Sequence, residues 1–244
     1  MPGTFKKPSV ILRACILICL LAVLILLYNG VIQINHPPYE LYPVRGVDVS
    51  HYQGDIDWGI LSGQGIRFAF IKATEGTDFT DEKFLSNREG AQKAGLRVGA
   101  YHFFSLVSPG AEQAEHFFSV AGPTEDMLPP VVDVEPYGRW KNTDIDTGAL
   151  LSELESCLEA LDEKYGMRPI IYTTKDWYPF IHERFPEHDI WIRSVVFGPS
   201  KNIEWKFWQY SDRKTLSGYN GKERFIDMDL FRGSEEEFER YPNG

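Results

Sequence analysis

Apolar and polar positions along this 244-residue chain fall into two periods that alternate for most of its length. Runs rich in Val, Ile, Phe and Tyr read as strands, because β-branched and aromatic side chains suit a pleated, half-buried surface. They are RGVDVS (45–50), RFAFIKA (67–73), LRVGAYHFF (96–104), PPVVDVE (129–135), RPIIYTT (168–174), DIWIRSV (189–195), EWKFWQYS (204–211) and RFIDMDLF (224–231). Segments with helical spacing lie between the early ones. TDEKFLSNREGAQKAG (80–95) opens on a Thr–Asp cap and stops at Gly95, and SPGAEQAEHFFSVAG (108–122) carries Pro109 near its start. DTGALLSELESCLEALDEKYG (146–166) sets Leu150, Leu151, Leu154, Leu158 and Leu161 on one side and ends at Gly166. Polar caps in front and glycine behind are the usual punctuation of helices.

Strands alternating with helices predict parallel pairing and therefore an α/β fold. The expected architecture is an irregular single-domain β/α barrel, with about five βα units and then three further strands. Only residues 196–203 separate the sixth and seventh strand segments. That is fewer than the dozen or so a parallel crossover uses, so the late strands are expected to lack helices.

A different pattern opens the chain. ACILICLLAVLILLYNGVIQI, residues 14–34, holds no charge, and about 20 apolar residues suffice to cross a bilayer as a helix. Lys6, Lys7 and Arg13 precede it, which favours a cytoplasmic N-terminus and an exported body on the periplasmic or extracellular side. A cleavable signal is the rival, because residues 14–28 have the length of a signal's apolar region. No small-x-small cleavage pattern follows in YNGVIQINHPP, so an uncleaved anchor is expected, with secretion if it is cut. Ile18 stands where lipoprotein processing at Cys19 would need a small residue. The expected organisation is a short cytoplasmic segment (1–13), the anchor (14–34), a Pro- and Tyr-containing linker (35–45), the main domain (46–233) and a C-terminal tail (234–244).

Composition narrows the classes. With 43% hydrophobic residues the chain can bury a sizeable core. Its formal charge is −10; residues 1–35 hold three cations and no acid, so the remainder carries −13. That balance excludes a general nucleic-acid partner, which needs a basic face. Cys15 and Cys19 lie in the apolar segment, leaving Cys157 alone in the body, so the exported part forms no internal disulfide. Cys157 reads as a small buried hydrophobe within a helix.

The candidate chemistry sits in LPPVVDVEPY, residues 128–137, where two carboxylates interrupt an apolar run. Asp and Glu are rarely buried without a partner. Side chains alternate along a strand, so Asp133 and Glu135 point to the same side, at the C-terminal end where β/α barrels build their sites. Asp48 ends the first strand, Glu75 follows the second, and Asp227 and Asp229 lie in the eighth. If the sheet closes, these acids meet at one mouth. Crowded carboxylates near apolar walls raise one another's pKa. One protonated acid beside ionised ones is what cleavage of a glycosidic bond requires. Tyr101, Phe103, Tyr137, Trp140, Tyr172, Trp191, Trp208 and Tyr210 lie at or just past strand ends. Flat rings with polar edges suit sugar faces.

GVDVSHYQGDIDW, FAFIKATEGTDFTDEKF, GLRVGAYHFF, PPVVDVE and WQYS…IDMDLF together resemble glycoside hydrolase family 25, the Chalaropsis-type lysozymes or N-acetylmuramidases, over about residues 44–233. The resemblance implies hydrolysis of the β-1,4 bond between N-acetylmuramic acid and N-acetylglucosamine in peptidoglycan. It implies Glu135 as proton donor, with Asp133, Asp48 and Asp227 as the other acids of the site. Asp229 falls where the family usually has Asn and ranks lower. Tyr101, Tyr172, Trp208 and Gln209 match groove positions, and Tyr137, Trp191 and Glu75 are further candidates for substrate binding. The family is described as retaining, with the substrate's own N-acetyl group as nucleophile and Asp133 orienting it. Water activated by Asp133 or Asp227, with inversion, is the alternative. Arg193 and Ser194 depart from the family pattern on the sixth strand, and Arg193 is expected to pair with a barrel carboxylate.

Two other functions fit parts of the pattern: a tethered, non-catalytic peptidoglycan-binding protein on the same barrel, and a chitinase-like hydrolase. No cofactor and no metal site are expected, since HERFPEH (182–188) lacks the His pair of a zinc helix. The expected partners are peptidoglycan glycan strands and, through residues 14–34, a membrane. A monomer is expected.

Overall fold

The computed structural model describes residues 10–123, 127–138 and 146–242; Trp140 lies outside the described residues. Its strands are β1 (Arg45–Val49), β2 (Ile66–Glu75), β3 (Phe79–Thr80), β4 (Arg97–Phe103), β5 (Val131–Val134), β6 (Ile170–Thr174), β7 (Ile190–Arg193), β8 (Phe207–Lys214) and β9 (Ile226–Phe231). All but β3 close into a mixed barrel of eight, with β1 pairing both β2 and β9. Only β9 runs antiparallel to its barrel neighbours. The short β3 folds back on the end of β2.

Each predicted strand segment holds one barrel strand, but their limits mislead in one place. β7 ends at Arg193 and β8 begins at Phe207, so residues 194–206 have room for a parallel crossover, and the two strands are parallel. The aromatic run EWKFW hid that connection.

Helices α1 (Val10–Tyr28), α2 (Trp58–Ser62), α3 (Phe84–Lys93), α4 (Gly110–Ala121), α5 (Thr147–Tyr165), α6 (Tyr178–Arg184) and α7 (Glu235–Arg240) complete the order. The short α2, α6 and α7 carry too few turns to show a period. α5 follows its pattern: Asp146 caps it by accepting from Ala149 N, Gly166 ends it in a left-handed conformation (φ 63°), and Leu150, Leu154, Cys157, Leu158 and Leu161 are buried. The Thr–Asp cap expected at residue 80 is absent, because Thr80 belongs to β3 and Asp81 accepts from His51 N and Lys83 N in the turn before α3.

Strand alternation sorts the core into two layers. Ala69, Ile71, Val98, Ala100, Val132, Val134, Ile171 and Ile192 point outward, against the helices. Phe68, Phe70, Val131, Ile170, Trp191, Phe207 and Phe231 point into the barrel. Gly46 and Gly99 make room there, since a Cβ on either would lie 2.3 Å and 2.5 Å from the rings of Phe68 and Phe70.

The segment that the sequence sets apart as a tail packs as part of this interior. Phe238 of α7 lies 5.5 Å from Phe68 and 5.1 Å from Phe231, ring to ring. Tyr241 donates to Asp189 Oδ2 at 2.8 Å. Arg97 ties both down, donating to the carbonyls of Phe238 and Tyr241 and stacking on the Phe238 ring. The barrel floor is therefore closed by the C-terminal residues.

At the other terminus the helix is shifted from its expected place. α1 spans Val10–Tyr28, takes in Arg13, and leaves residues 29–34 outside. Asn29 Nδ2 donates back to Ile25 O, and Gly30 turns the chain with φ +67°. An 18-residue stretch of α1 has a mean hydropathy of 3.2 and no buried residue, which suits a signal sequence or a membrane anchor. The linker is not free of the barrel. Asn35 donates to Ser194 O and Tyr210 O at 3.1 Å and 3.0 Å.

Phe238→Ala, by emptying the floor, is expected to cost about 3–5 kcal/mol. The check is a lower urea midpoint with an unchanged slope.

Candidate active site

The inner faces of the strands end, at the top, in polar side chains. A cavity of about 320 Å³ opens there, lined among others by Asp48, Lys72, Tyr101, Asp133, Glu135, Tyr172, Trp191, Gln209 and Asp227. Asp133 and Glu135 continue the inward register of Val131 on β5, and Asp48 and Asp227 are cross-strand partners of β1 and β9. The sequence placed these acids on different strands; closure of the barrel brings them together.

Gln209 organises one wall. Its amide donates to Asp48 Oδ2 at 2.8 Å and to Asp227 Oδ2 at 3.1 Å, while its oxygen accepts from Tyr172 OH at 2.9 Å. Below it, Trp191 Nε1 donates to Asp229 Oδ1 at 2.8 Å. Asp133 Oδ1 is buried without a hydrogen-bond partner among the described residues. Two cations flank the acids. Lys72 Nζ pairs with Glu75 at 2.7 Å and sits over the Phe103 ring, and Arg193 pairs with Asp212 at 2.8 Å.

The sequence profile of glycosyl hydrolases family 25 matches residues 47–219. The chain belongs to glycoside hydrolase family 25. A family 25 glycosyl hydrolase from Bacillus anthracis is 47% identical and superposes with a TM-score of 0.79, covering 85% of this chain and 97% of that one. Lysozyme M1 of Streptomyces globisporus is 33% identical over 215 residues, 81% of this chain and 70% of its own length. The Escherichia coli K12 protein YegX, uncharacterised, is 33% identical over 211 residues, 83% of this chain and 75% of that one.

Burial dominates the electrostatics of this family 25 site. It lifts Asp48 from an ordinary 3.8 to about 6, against the hydrogen bonds from Gln209 and Asp229, and the charge of Glu135 adds to the rise. Burial and then the Glu135 charge hold Asp133 well above the carboxylate range, with Lys72 opposing. Asp227 is held up by burial and by Asp48. Asp229 is held up by burial and by the charges of Asp48 and Asp227. Asp229 Oδ2 is buried without a hydrogen-bond partner among the described residues. Tyr101 and Tyr172 are pushed up by burial among the acids and remain hydroxyl donors.

Some sequence candidates stand elsewhere. Trp208 neighbours Gln209 in β8, so alternation turns it outward, where its Nε1 donates to Ser194 O and its ring meets Tyr42 and Trp205. Tyr210 is outward too, under the Arg45 guanidinium. Glu75 is engaged by Lys72, and Tyr137 stacks edge-on against Phe103 and accepts from Leu106 N; neither lines the cavity. Conversely, Lys72, Tyr52, Gln53, Asp212, Glu223 and Phe225 line it without having been singled out. Lys72 was within reach, two and four residues past the inward Phe70 and Phe68. Glu223 and Phe225 arrive on a hairpin whose course no local pattern gives. Among the described residues no group of three or more His, Cys, Asp or Glu side chains is placed to hold a metal ion.

A carboxyl whose folded pKa exceeds its unfolded value destabilises the fold as pH rises between the two. For Asp48 that window runs from 3.8 to about 6. A rise from 3.8 to about 6 corresponds to roughly 3 kcal/mol, so Asp48→Asn is expected to melt higher at pH 7.5, by up to about 6–12 °C for a domain of this size. The gain should shrink as pH falls through 6 toward 4, as calorimetry across that range would show.

Proposed function

We propose that this family 25 enzyme is an N-acetylmuramidase that hydrolyses the β-1,4 bond between N-acetylmuramic acid and N-acetylglucosamine in peptidoglycan. One observation carries the reading: Asp133 and Glu135 share the inner face of the end of β5, and Asp133 Oδ1 is buried with no donor among the described residues. A lone acceptor in that position suits the N–H of a substrate acetamide.

In this reading Glu135 protonates the leaving glycosidic oxygen. Asp133 accepts the acetamide N–H and turns the acetamide oxygen onto the anomeric carbon. The C1–O bond to the leaving sugar breaks as the bond from the acetamide oxygen forms. Water then adds to C1 on the face the leaving group vacated, giving its proton to the Glu135 carboxylate, and the acetamide is released with net retention. Burial keeps Asp133 basic, which strengthens its hold on the N–H as the amide becomes cationic. Asp48, tied to Asp227 through Gln209, supplies negative charge toward the oxocarbenium-like centre. Tyr101, Tyr172 and Trp191 line the walls against which a sugar ring would lie.

Glu135→Gln should lower release of muropeptides from purified cell walls by about 10²–10⁴-fold, the usual worth of a positioned general acid. Mass spectrometry should find products ending in a reducing muramic acid, and the first-formed anomer should be β. An initial α-anomer rejects the acetamide route in favour of direct attack by water. Equal lysis by both proteins supports a wall-binding role instead, and cleavage of chitin oligomers but not walls supports a chitinase.

A further inference from the structure

The end of the apolar helix is bolted to the wall of the active-site mouth. Arg213 Nη1 donates to Tyr28 O at 2.8 Å, and its guanidinium sits over the Tyr28 ring. Arg224 Nη1 donates to Asn29 Oδ1 at 2.7 Å. Gln33 reaches back to Arg213 O. Gly30 approaches so closely that a Cβ there would lie 2.1 Å from Arg213 O. Only glycine permits this contact.

The same residues border the cavity. Asp212 and Phe225 line it, and the guanidinium groups of Arg213 and Arg224 both sit over the Phe225 ring, 5.8 Å and 5.3 Å from its centre. Asp212 pairs inward with Arg193 while the next residue holds the helix. Asp212 of β8 lines both this cavity and the one beside the end of α1.

Around this junction the surface suits a bilayer. An α-helix of 19 residues is about 28 Å long, close to the roughly 30 Å hydrocarbon core, so a spanning α1 puts Tyr28 at the interface. Tyr at that level, next to arginines that reach polar headgroups, is the expected arrangement. Val31 and Ile34 are exposed beside it, as is Phe197 (68%) on the loop after β7. A second cavity, between Leu27, Ile32 and Ile34 on one side and Val195 and Val196 on the other, continues this apolar strip. Exposed apolar side chains meeting at one membrane-proximal edge mark a surface that dips into lipid.

We propose that the juxtamembrane segment is a clamp rather than a tether, holding the mouth against the bilayer so that the enzyme selects glycan strands still carried on a membrane lipid over strands free of it. This rests on the muramidase reading of the site and on a retained anchor. A flexible linker would let the barrel sample the wall at many heights. A docked one fixes the mouth where a lipid-linked strand in the same leaflet is at high effective concentration.

The full chain is reconstituted in anionic-lipid vesicles and given either lipid-linked glycan in the same vesicles or soluble strands of equal length. Wild type should favour the lipid-linked substrate by about tenfold or more. Gly30→Val, Arg213→Ala and a ten-residue Gly–Ser insertion after Asn29 should each abolish that preference and leave soluble-strand turnover unchanged. An unchanged preference in all three overturns the proposal. So does finding, by mass spectrometry of the cellular protein, that residues 1–28 have been removed. Energy transfer from a dye on Lys222→Cys to headgroup-labelled lipid reads the clamp without catalysis. High transfer that the insertion lowers supports it, and equal transfer rejects it. Absence of turnover on both substrates would reject the muramidase reading alone.

Discussion

A closed barrel gives each inward side chain nowhere to go but its interior, and everything at this site follows from that enclosure. The lower interior is filled by Phe68, Phe207, Phe231 and Phe238 and sealed by Arg97 and Tyr241. Water is excluded from below. The upper interior therefore offers carboxylates low-dielectric walls and one another as neighbours, and burial leads the causes that raise Asp48, Asp133, Asp227 and Asp229. Crowding of this kind destabilises the fold and is retained where chemistry needs it.

The protein contains the crowding with few donors, one of them used twice. Gln209 serves Asp48 and Asp227 while accepting from Tyr172, and Trp191 satisfies one oxygen of Asp229. A network in which nearly all members are satisfied is rigid. Among the described residues Asp229 Oδ2 and Asp133 Oδ1 are the exceptions, and of the two it is Asp133 that lines the cavity. Stability and function diverge at its Oδ1, since an unsatisfied buried acceptor costs free energy that only a ligand can return.

Much of this was legible along the chain because alternation in a strand is a local rule. The pair Asp133 and Glu135, two residues apart, needed only that rule to be placed on one face. The same rule argued against pairing Trp208 with Gln209 as groove residues, and the structure turns Trp208 outward. Register with period two was the better guide there than nearness in sequence. The aromatic runs that marked the strands also blurred their ends, which concealed the 194–206 crossover and made β7 and β8 look too close to be parallel.

The sequence by itself determined the order of the eight barrel strands and the three longer helices between them, the apolar N-terminal helix and the acids at the strand ends, since each is written in local spacing. Only the tertiary structure decided which acids share a hydrogen-bonding amide, that Lys72, Glu223 and Phe225 border the cavity, that residues 235–241 close the floor, and that Gly30 lies against Arg213. Those contacts join residues far apart in the chain. No periodicity encodes them, because they exist only once the sheet has closed and its two ends have become different environments.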